Sequence, residues 1–231
     1  MSFIKPPPHF YSRRFLYLFL ALLLPFMLHP LANTELMGVS LLDLAFSIVL
    51  LMVLFAVSER RHITFSVLAL VLVVQIMTWT THFIPNQWLI RLGIFLNIFY
   101  LTYTTALILS HVINSKKVSS NTLFAALCIY ILIGYIWAFI YSLIDIFSIN
   151  AFQMNPNFFM NVPAGKHIFS KLYYFIYFSF TTLTTLNFGD IIPANPWARV
   201  FSTLEAIVGQ LYLVVLVSRL VGMHINQVEE K

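Results

Sequence analysis

The segment from Thr181 to Asp190, TTLTTLNFGD, gathers four threonines, an asparagine, a glycine and an aspartate within a very apolar chain. Threonine hydroxyls and backbone carbonyls are oxygen ligands, and several such oxygens can replace the hydration shell of a cation. Irregular backbone is tolerated at membrane depth only where protein buries it or where it lines a watery cavity. The composition of this segment therefore predicts that it faces ions and water.

The composition of the whole chain is that of an integral membrane protein. Of its 231 residues, 60% are hydrophobic and 9% are charged, whereas a soluble domain is about half apolar and about a quarter charged. So few polar residues cannot cover a globule, and the excess apolar surface must face a lipid bilayer.

The net charge of +5 comes from thirteen lysines and arginines scattered along the chain. Because they form no basic stripe or nucleic-acid motif, short cytoplasmic loops explain them better than a nucleic-acid partner. The single cysteine, Cys128, excludes an internal disulfide. The sequence has no catalytic-triad spacing, metal motif or phosphate-binding loop, so we expect neither enzyme activity nor a cofactor.

Six apolar segments are each close to the ~20 residues that a helix needs to cross ~30 Å of hydrocarbon. The first follows two arginines but has no small-residue cleavage site after it, so we interpret it as a retained helix rather than a signal peptide. The six are Phe15–Leu31, Val39–Val57, Ile63–Thr81, Trp88–Val112, Thr122–Ile146 and Trp197–Val221.

The positions of the basic residues predict a multi-pass protein of the cell (inner) membrane with both termini in the cytoplasm. With the N-terminus inside, nine basic residues lie in inner segments and four lie on or near the outside. The nine are Lys5, Arg13, Arg14, Arg60, Arg61, Lys116, Lys117, Arg219 and Lys231, and the four are Arg91, Lys166, Lys171 and Arg199.

A short helix and an extended segment are predicted between the fifth and sixth spans. Lys171–Thr184 is a helix candidate of fourteen residues, about 21 Å long at ~1.5 Å per residue and so too short to cross. Leu186–Asn195 contains asparagine, glycine, aspartate and proline, which stop helices. This order predicts a re-entrant loop that enters the membrane and turns back.

The stretch Ser179–Pro193, SFTTLTTLNFGDIIP, resembles the pore signature of the potassium-channel superfamily, S-F-x-T-L-T-T-x-G-Y-G-D-I-x-P. The similarity extends over about fifty residues into the sixth span. It implies an all-α tetrameric cation channel with a re-entrant pore helix and filter. The residues that resemble the inner helix of small bacterial members are Arg199, Leu204, Glu205, Ile207–Gln210, Tyr212 and Arg219–Gly222.

The resemblance implies that the carbonyls of Thr185, Leu186, Asn187 and Phe188 bind K⁺, with the Thr185 hydroxyl completing the innermost site and Gly189 following in the filter. One loop supplies only a fraction of each oxygen ring. We therefore expect four copies to form a homotetramer in the bilayer, with monovalent cations as the permeating species.

The resemblance also implies residues that support the filter. Tyr177 and Phe178 match positions where many relatives carry paired tryptophans in an aromatic cuff, and Asp190 matches a residue that braces the loop and adds negative potential at the outer mouth. Thr181 and Thr184 are expected to support the filter from the pore helix, whose C-terminal end would face a central cavity.

Two residues of the sixth span call for their own interpretation. Gly209 matches the flexible point of the family's inner helix, which makes it a candidate gating hinge; close packing against the pore helix is the alternative. Glu205 is a carboxyl group two turns into the span and needs a partner. We expect polar atoms of the pore helix to provide it.

Two residues depart from the family's filter: Asn187 replaces the first glycine and Phe188 replaces the tyrosine. Asparagine is among the few residues other than glycine that readily adopt a left-handed backbone. Asn187 therefore either keeps the filter geometry or places its amide in or against the filter. Phe188 keeps the aromatic packing but loses a hydroxyl. We expect K⁺ conduction, with a weakly selective Na⁺/K⁺ channel and a non-conducting regulatory subunit as the alternatives.

Residues 15–117 are expected to form a four-helix domain that resembles a voltage-sensor-like domain, and residues 118–222 the pore domain. Residues 1–14 and 223–231 would be cytoplasmic, leaving no room for a ligand-binding domain after the pore. The fourth span has Arg91 and no further charge before Lys116, whereas steep voltage gating needs about three or four charges per subunit. We expect weak or absent voltage dependence, with Asp43 as a candidate partner of Arg91.

Overall fold

The computed structural model describes residues 13–32, 38–57, 61–83, 86–115, 119–148, 150–154 and 167–229. This part of the chain is almost entirely helical. Its elements are α1 (Arg14–Ala32), α2 (Gly38–Val57), α3 (Arg61–Phe83), α4 (Gln87–Asn114), α5 (Ser120–Phe147), β1 (Phe152–Met154), α6 (His167–Leu183), β2 (Ile191–Pro193) and α7 (Pro196–Glu229).

Four of the described helices are long and apolar enough to cross a membrane, namely α3, α4, α5 and α7. The helices α1 and α2 coincide with the other two apolar segments of the sequence, but their described apolar stretches are shorter, Arg14–Leu28 and Leu44–Val57. The structure therefore confirms a helical multi-pass membrane protein, while the full set of six spans stays a prediction.

Two of the first four helices dock directly on α5. Both α1 and α4 pack along it, and two buried tyrosines bridge neighbouring helices through backbone carbonyls. The Tyr100 hydroxyl of α4 donates to the Leu50 carbonyl of α2 at 2.7 Å, and the Tyr135 hydroxyl of α5 donates to the Leu22 carbonyl of α1 at 2.7 Å. Such interhelical bonds satisfy polar groups that lipid cannot.

The short helix α6 differs from its predicted limits. It begins at His167 instead of Lys171 and ends at Leu183 instead of Thr184. Its start is earlier because no helix-breaking residue lies between Gly165 and Lys171. Its end is earlier because Thr185 has a left-handed backbone, with φ of 61°, which stops the helix.

A small antiparallel ladder holds the C-terminal half together where α5 ends and α7 begins. β1 pairs with β2, with Gln153 opposite Ile192, and the Ala194 amide donates to the Ala151 carbonyl at 2.8 Å. The ladder joins the loop after α5 to the segment that follows TTLTTLNFGD. It therefore fixes the far end of that segment, as α6 fixes its near end.

Candidate functional site

The C-terminus of α6 closes with two backbone hydrogen bonds. The Thr185 amide donates to the Thr182 carbonyl at 3.0 Å, and the Leu186 amide donates to the Thr181 carbonyl at 2.8 Å. Together with the left-handed Thr185, these bonds form a Schellman motif, which satisfies carbonyls at a helix end. The Asn187 amide adds a further bond to the Thr181 carbonyl at 3.2 Å. The exit direction of the chain is thereby set.

Every second residue after the helix has a positive φ. The values are 61° at Thr185, 35° at Asn187 and 81° at Gly189. A left-handed backbone suits glycine and is accessible to asparagine, but it is a genuine outlier for a β-branched threonine. The alternation is the backbone pattern that consecutive inward-facing carbonyls require, and Asn187 adopts it without being glycine.

One chain leaves this segment open on one side. Residues from Thr184 to Gly189 are exposed, and the side chains of Leu186 and Phe188 are 61% and 68% exposed. By contrast, Thr181, Thr182 and Leu183 of the preceding turn are buried. The segment thus rests on a packed helix end while its apolar side chains lack cover within a single copy.

The Asn187 side chain is turned back toward α6. Its Oδ1 atom accepts a hydrogen bond from the Thr182 hydroxyl at 3.3 Å. The sequence left two positions open for this amide, in the filter or against it. The contact with Thr182 corresponds to the second position. Thr182 was not singled out in the sequence, although it lies within the TTLTT run that was.

An aromatic and acidic cluster holds the end of the segment that leads into β2. The ring of Phe188 stacks on that of Tyr177, with 6.4 Å between centroids and 5° between planes. The Tyr177 hydroxyl donates to Asp190 Oδ2 at 2.7 Å, and the Ile191 amide donates to Asp190 Oδ1 at 3.1 Å. Desolvation, with the bond to Asp190 adding to it, raises the pKa of Tyr177 to about 12. Tyr177 therefore remains a donor at neutral pH.

The structure separates the two residues predicted for an aromatic cuff. Tyr177 lies beside the extended segment, whereas Phe178 is buried on a different face of α6. Its ring centroid is 5.1 Å from that of Tyr141 and 5.5 Å from that of Phe152. Adjacent positions on a helix cannot share a face, so within one copy Phe178 packs α6 against α5 and β1.

The two threonines predicted as filter supports make different contacts. The Thr181 side chain is buried, and its hydroxyl donates to the Phe178 carbonyl at 2.9 Å. The Thr184 hydroxyl is exposed and donates to the Phe180 carbonyl at 2.6 Å. Thr181 therefore braces the helix end through its carbonyl, while Thr184 presents its side chain at the open surface.

Gly209 allows α7 to approach the end of α6. A Cβ atom at this position would lie 2.7 Å from Leu183 Cδ2 and 2.9 Å from the Leu183 carbonyl oxygen. Of the two interpretations of Gly209, this contact favours close packing against the pore helix.

Glu205 lies one turn before Gly209 and bonds to Ser179 of α6, which confirms the expected partner on that helix. Its second partner, Tyr141 of α5, was not predicted.

Arg91, close to the start of α4, lies between aromatic rings. Its guanidinium carbon is 5.2 Å from the Trp88 ring centroid and 5.0 Å from that of Phe147. The side chain of Asp43 lies outside the described residues, and so does the hypothesis of an Asp43–Arg91 pair. The described contacts of Arg91 are cation–π contacts, and the one with Phe147 fixes the N-terminal end of α4 against the C-terminal end of α5.

Residues 118–225 match a family model described as "Ion channel". The match covers α5, α6, the extended segment and most of α7, which is just under half of the chain. This part of the protein is therefore an ion-channel domain, and the resemblance to the potassium-channel superfamily is confirmed for it. Searches of curated proteins and of solved structures found no match.

Proposed function

We propose that the protein is a cation channel through which K⁺ permeates passively, with four copies around one pore. In this proposal the carbonyls of residues 185–188 and the Thr185 hydroxyl replace the hydration shell of the ion. The observation that carries it is the alternation of positive φ at Thr185, Asn187 and Gly189, directly after a closed helix end and within the residues that match an ion-channel family.

The exposed apolar face of α7 supports the tetramer. Only 17% of its membrane-spanning window is buried within one chain, against 56% for α5. Lipid can cover one face of such a helix, but an inner helix in a tetramer also needs a protein partner on another. The exposed large apolar residues of α7 are Trp197, Val200, Leu204, Ile207, Val208, Leu211, Val214, Val215 and Val217.

The position of the Asn187 amide favours K⁺ selectivity over the weakly selective alternative. With Oδ1 held by Thr182, the side chain does not have to enter the pore, and backbone carbonyls remain the ligands. Phe188 lacks the hydroxyl of the tyrosine that the family has at this position. Two other contacts brace the segment instead: Phe188 stacks on Tyr177, and Tyr177 bonds to Asp190. A filter braced in this way also argues against a non-conducting subunit, which would not need it.

The end of α6 offers a second favourable feature for a cation. The C-terminus of a helix carries a partial negative charge, and the exposed Thr184 hydroxyl lies at the same end. In a tetramer, four such helix ends would surround the inner entrance of the filter. An ion waiting there would be stabilised before it loses its water.

The test is the reversal potential of the purified protein in liposomes or planar bilayers under opposed K⁺ and Na⁺ gradients. We expect reversal near the K⁺ equilibrium potential, and no change in Asn187→Gly, because both residues accept a left-handed backbone. The matched control is Asn150→Gly, since Asn150 also has a positive φ, 57°, but lies before β1.

Two outcomes would contradict the proposal. Reversal near zero that Asn187→Gly moves toward K⁺, with Asn150→Gly unchanged, would establish the weakly selective alternative. No current from the wild type or from either variant, with the tetramer intact, would favour the regulatory subunit.

A further inference from the structure

A chain of hydrogen bonds behind the extended segment joins three helices. Glu205 of α7 is 0% exposed. The Tyr141 hydroxyl of α5 donates to Glu205 Oε2, and Glu205 Oε1 is hydrogen-bonded to the Ser179 hydroxyl of α6. The same Ser179 oxygen lies 2.8 Å from the carbonyl oxygen of Gly134 in α5.

These three oxygen–oxygen contacts need three protons. Tyr141 supplies one and Ser179 supplies one, and a backbone carbonyl supplies none. An ionised carboxylate only accepts, so with ionised Glu205 the Ser179 proton would have to be shared between Glu205 and the Gly134 carbonyl, and one of the three contacts would have no proton of its own. A protonated carboxyl group completes the chain: Tyr141 donates to Glu205, Glu205 donates to Ser179, and Ser179 donates to the Gly134 carbonyl.

The surroundings of Glu205 are neutral. Both of its side-chain partners are hydroxyls. Among the described residues, the ion pair between a basic and an acidic side chain lies elsewhere, between Lys171 and Asp145 at 2.8 Å. A charge within a membrane-spanning helix is costly unless it is paired. No basic side chain in the described ranges offers Glu205 such a pair.

The contacts on either side of this chain leave little room for movement. A Cβ atom at Gly134 would lie 2.6 Å from Cζ of Phe180, the residue after Ser179. At Gly209, one turn after Glu205, a Cβ atom would lie 2.7 Å from Leu183 Cδ2. α6 is therefore clamped between α5 and α7 at close range, and the hydrogen-bond chain lies between the two close contacts.

We propose that Glu205 carries a proton at neutral pH and is a positioning residue that ties α6 to α5 and α7. Ser179 lies six residues before Thr185 on the helix that leads into the extended segment, so a shift of α6 is carried to that segment. The role in holding the filter rests on the proposed channel function. The protonation of Glu205 does not, because it follows from the hydrogen-bond geometry and the neutral, buried surroundings of the carboxyl group.

Infrared spectroscopy of the full-length protein in lipid at neutral pH tests the protonation. A protonated carboxyl group has a carbonyl stretching band that is separate from the bands of a carboxylate and shifts in D₂O. We expect this band in the wild type, its loss in Glu205→Gln, and a shift in frequency in Ser179→Ala, which removes the acceptor. Asp145→Asn is the matched control and should leave the band unchanged, because Asp145 is paired with Lys171. Absence of a band that depends on Glu205 would overturn the proposal.

Ion flux tests the positioning role. Glu205→Gln keeps one donor and one acceptor and should retain the reversal potential of the wild type. Glu205→Met has a similar length but no hydrogen bonds, and should lose ion discrimination while remaining tetrameric on a native gel. Should Glu205→Met fail to assemble, Ser179→Ala breaks the same chain and should show the same loss. Unchanged selectivity in the assembled variants would overturn the role.

The two experiments separate this inference from the proposed function. A wild type that carries no current would contradict the channel, while the carboxylic acid band would still decide whether Glu205 is protonated. A conducting wild type without the band would contradict the inference and leave the channel intact.

Discussion

Polar side chains serve different purposes in the two halves of the molecule. In α3 and α4 many bond to a carbonyl four residues back on their own helix, as Thr78, Thr80, Asn97 and Thr104 do. In the C-terminal half they more often join separate elements. The linking pairs there include Tyr141 with Glu205, Ser179 with Glu205, Tyr177 with Asp190 and Thr182 with Asn187.

The difference indicates where precise geometry is required. A hydroxyl that bonds to a carbonyl of its own helix has its hydrogen-bonding capacity satisfied in an apolar medium. Such a bond leaves the helix free to move as a unit. A bond between elements fixes their relative position. The first half is not without such bonds, since Tyr100 reaches the Leu50 carbonyl and Gln75 reaches Ser47. They are concentrated, however, around the segment that we propose as the filter.

The largest expected effect comes from a single methyl group. Gly209→Ala should destabilise the folded protein by about 1–3 kcal/mol, the usual cost of overpacking, because its Cβ would lie 2.9 Å from the Leu183 carbonyl oxygen. The control is Gly93→Ala in α4, where a Cβ meets nothing within 4 Å and alanine's helix propensity adds up to about 1 kcal/mol. Thermal unfolding in nanodiscs measures both.

A different result would revive the hinge interpretation of Gly209. If Gly209→Ala were as stable as the wild type but changed the open probability in single-channel records, flexibility and not packing would be its contribution. If Gly93→Ala were equally destabilising, the two halves would not differ in how closely their helices pack.

The next largest effect is expected at the end of the extended segment that leads into β2. Tyr177→Phe removes the bond to Asp190 while keeping the stack on Phe188, which should cost about 1 kcal/mol and lower the K⁺ over Na⁺ permeability ratio. Tyr103→Phe in α4 is the control, because its hydroxyl lies 3.4 Å from an exposed Ser66. Equal permeability ratios in the two variants would show that the Tyr177–Asp190 bond does not brace the filter.

A smaller effect is expected from Thr182→Val, which removes the donor to Asn187 at nearly constant volume. The bond is long, 3.3 Å, so about 0.5–1 kcal/mol is expected, together with a shift of the reversal potential toward zero. Thr104→Val deletes an equally buried hydroxyl that bonds within α4 and should leave selectivity unchanged. A shift in Thr104→Val alone would reverse the comparison between the two halves.

The smallest effect is expected from Arg91→Gln. One charge that crosses the whole field is worth ~2.3 kcal/mol per 100 mV, and the contacts of Arg91 with Trp88 and Phe147 hold it in place at the N-terminal end of α4. The slope of conductance against voltage should therefore barely change. A steep slope in the wild type that this substitution flattens would show that the four-helix domain senses voltage.

Much of the helical framework follows from the sequence because apolar runs of sufficient length have few alternatives in lipid. The left-handed backbone at Asn187 also follows, since asparagine tolerates it. The β1–β2 ladder does not follow, because strands of three residues carry no periodicity. The partnership of Tyr141 with Glu205 is equally hidden: 64 positions separate the two residues, and neither one's neighbours indicate the other.

The separate positions of Phe178 and Tyr177 illustrate a further limit. A motif shows that two aromatic residues belong near the extended segment, but the helix period places successive side chains about 100° apart, at ~3.6 residues per turn. Which of the two reaches the segment depends on how α6 is rotated against α5. That rotation is set by Ser179, Gly134 and Phe180, whose fit to one another exists only in the folded chain.

The bond from Tyr135 to the Leu22 carbonyl has a consequence for biosynthesis. Its two residues are 113 positions apart, so at about 5–20 residues per second the donor emerges from the ribosome roughly 6–23 s after the acceptor. During that interval α1 has only α2, α3 and α4 available as neighbours within the chain. α1 therefore packs against α5 late, once the C-terminal half of the chain has been synthesised.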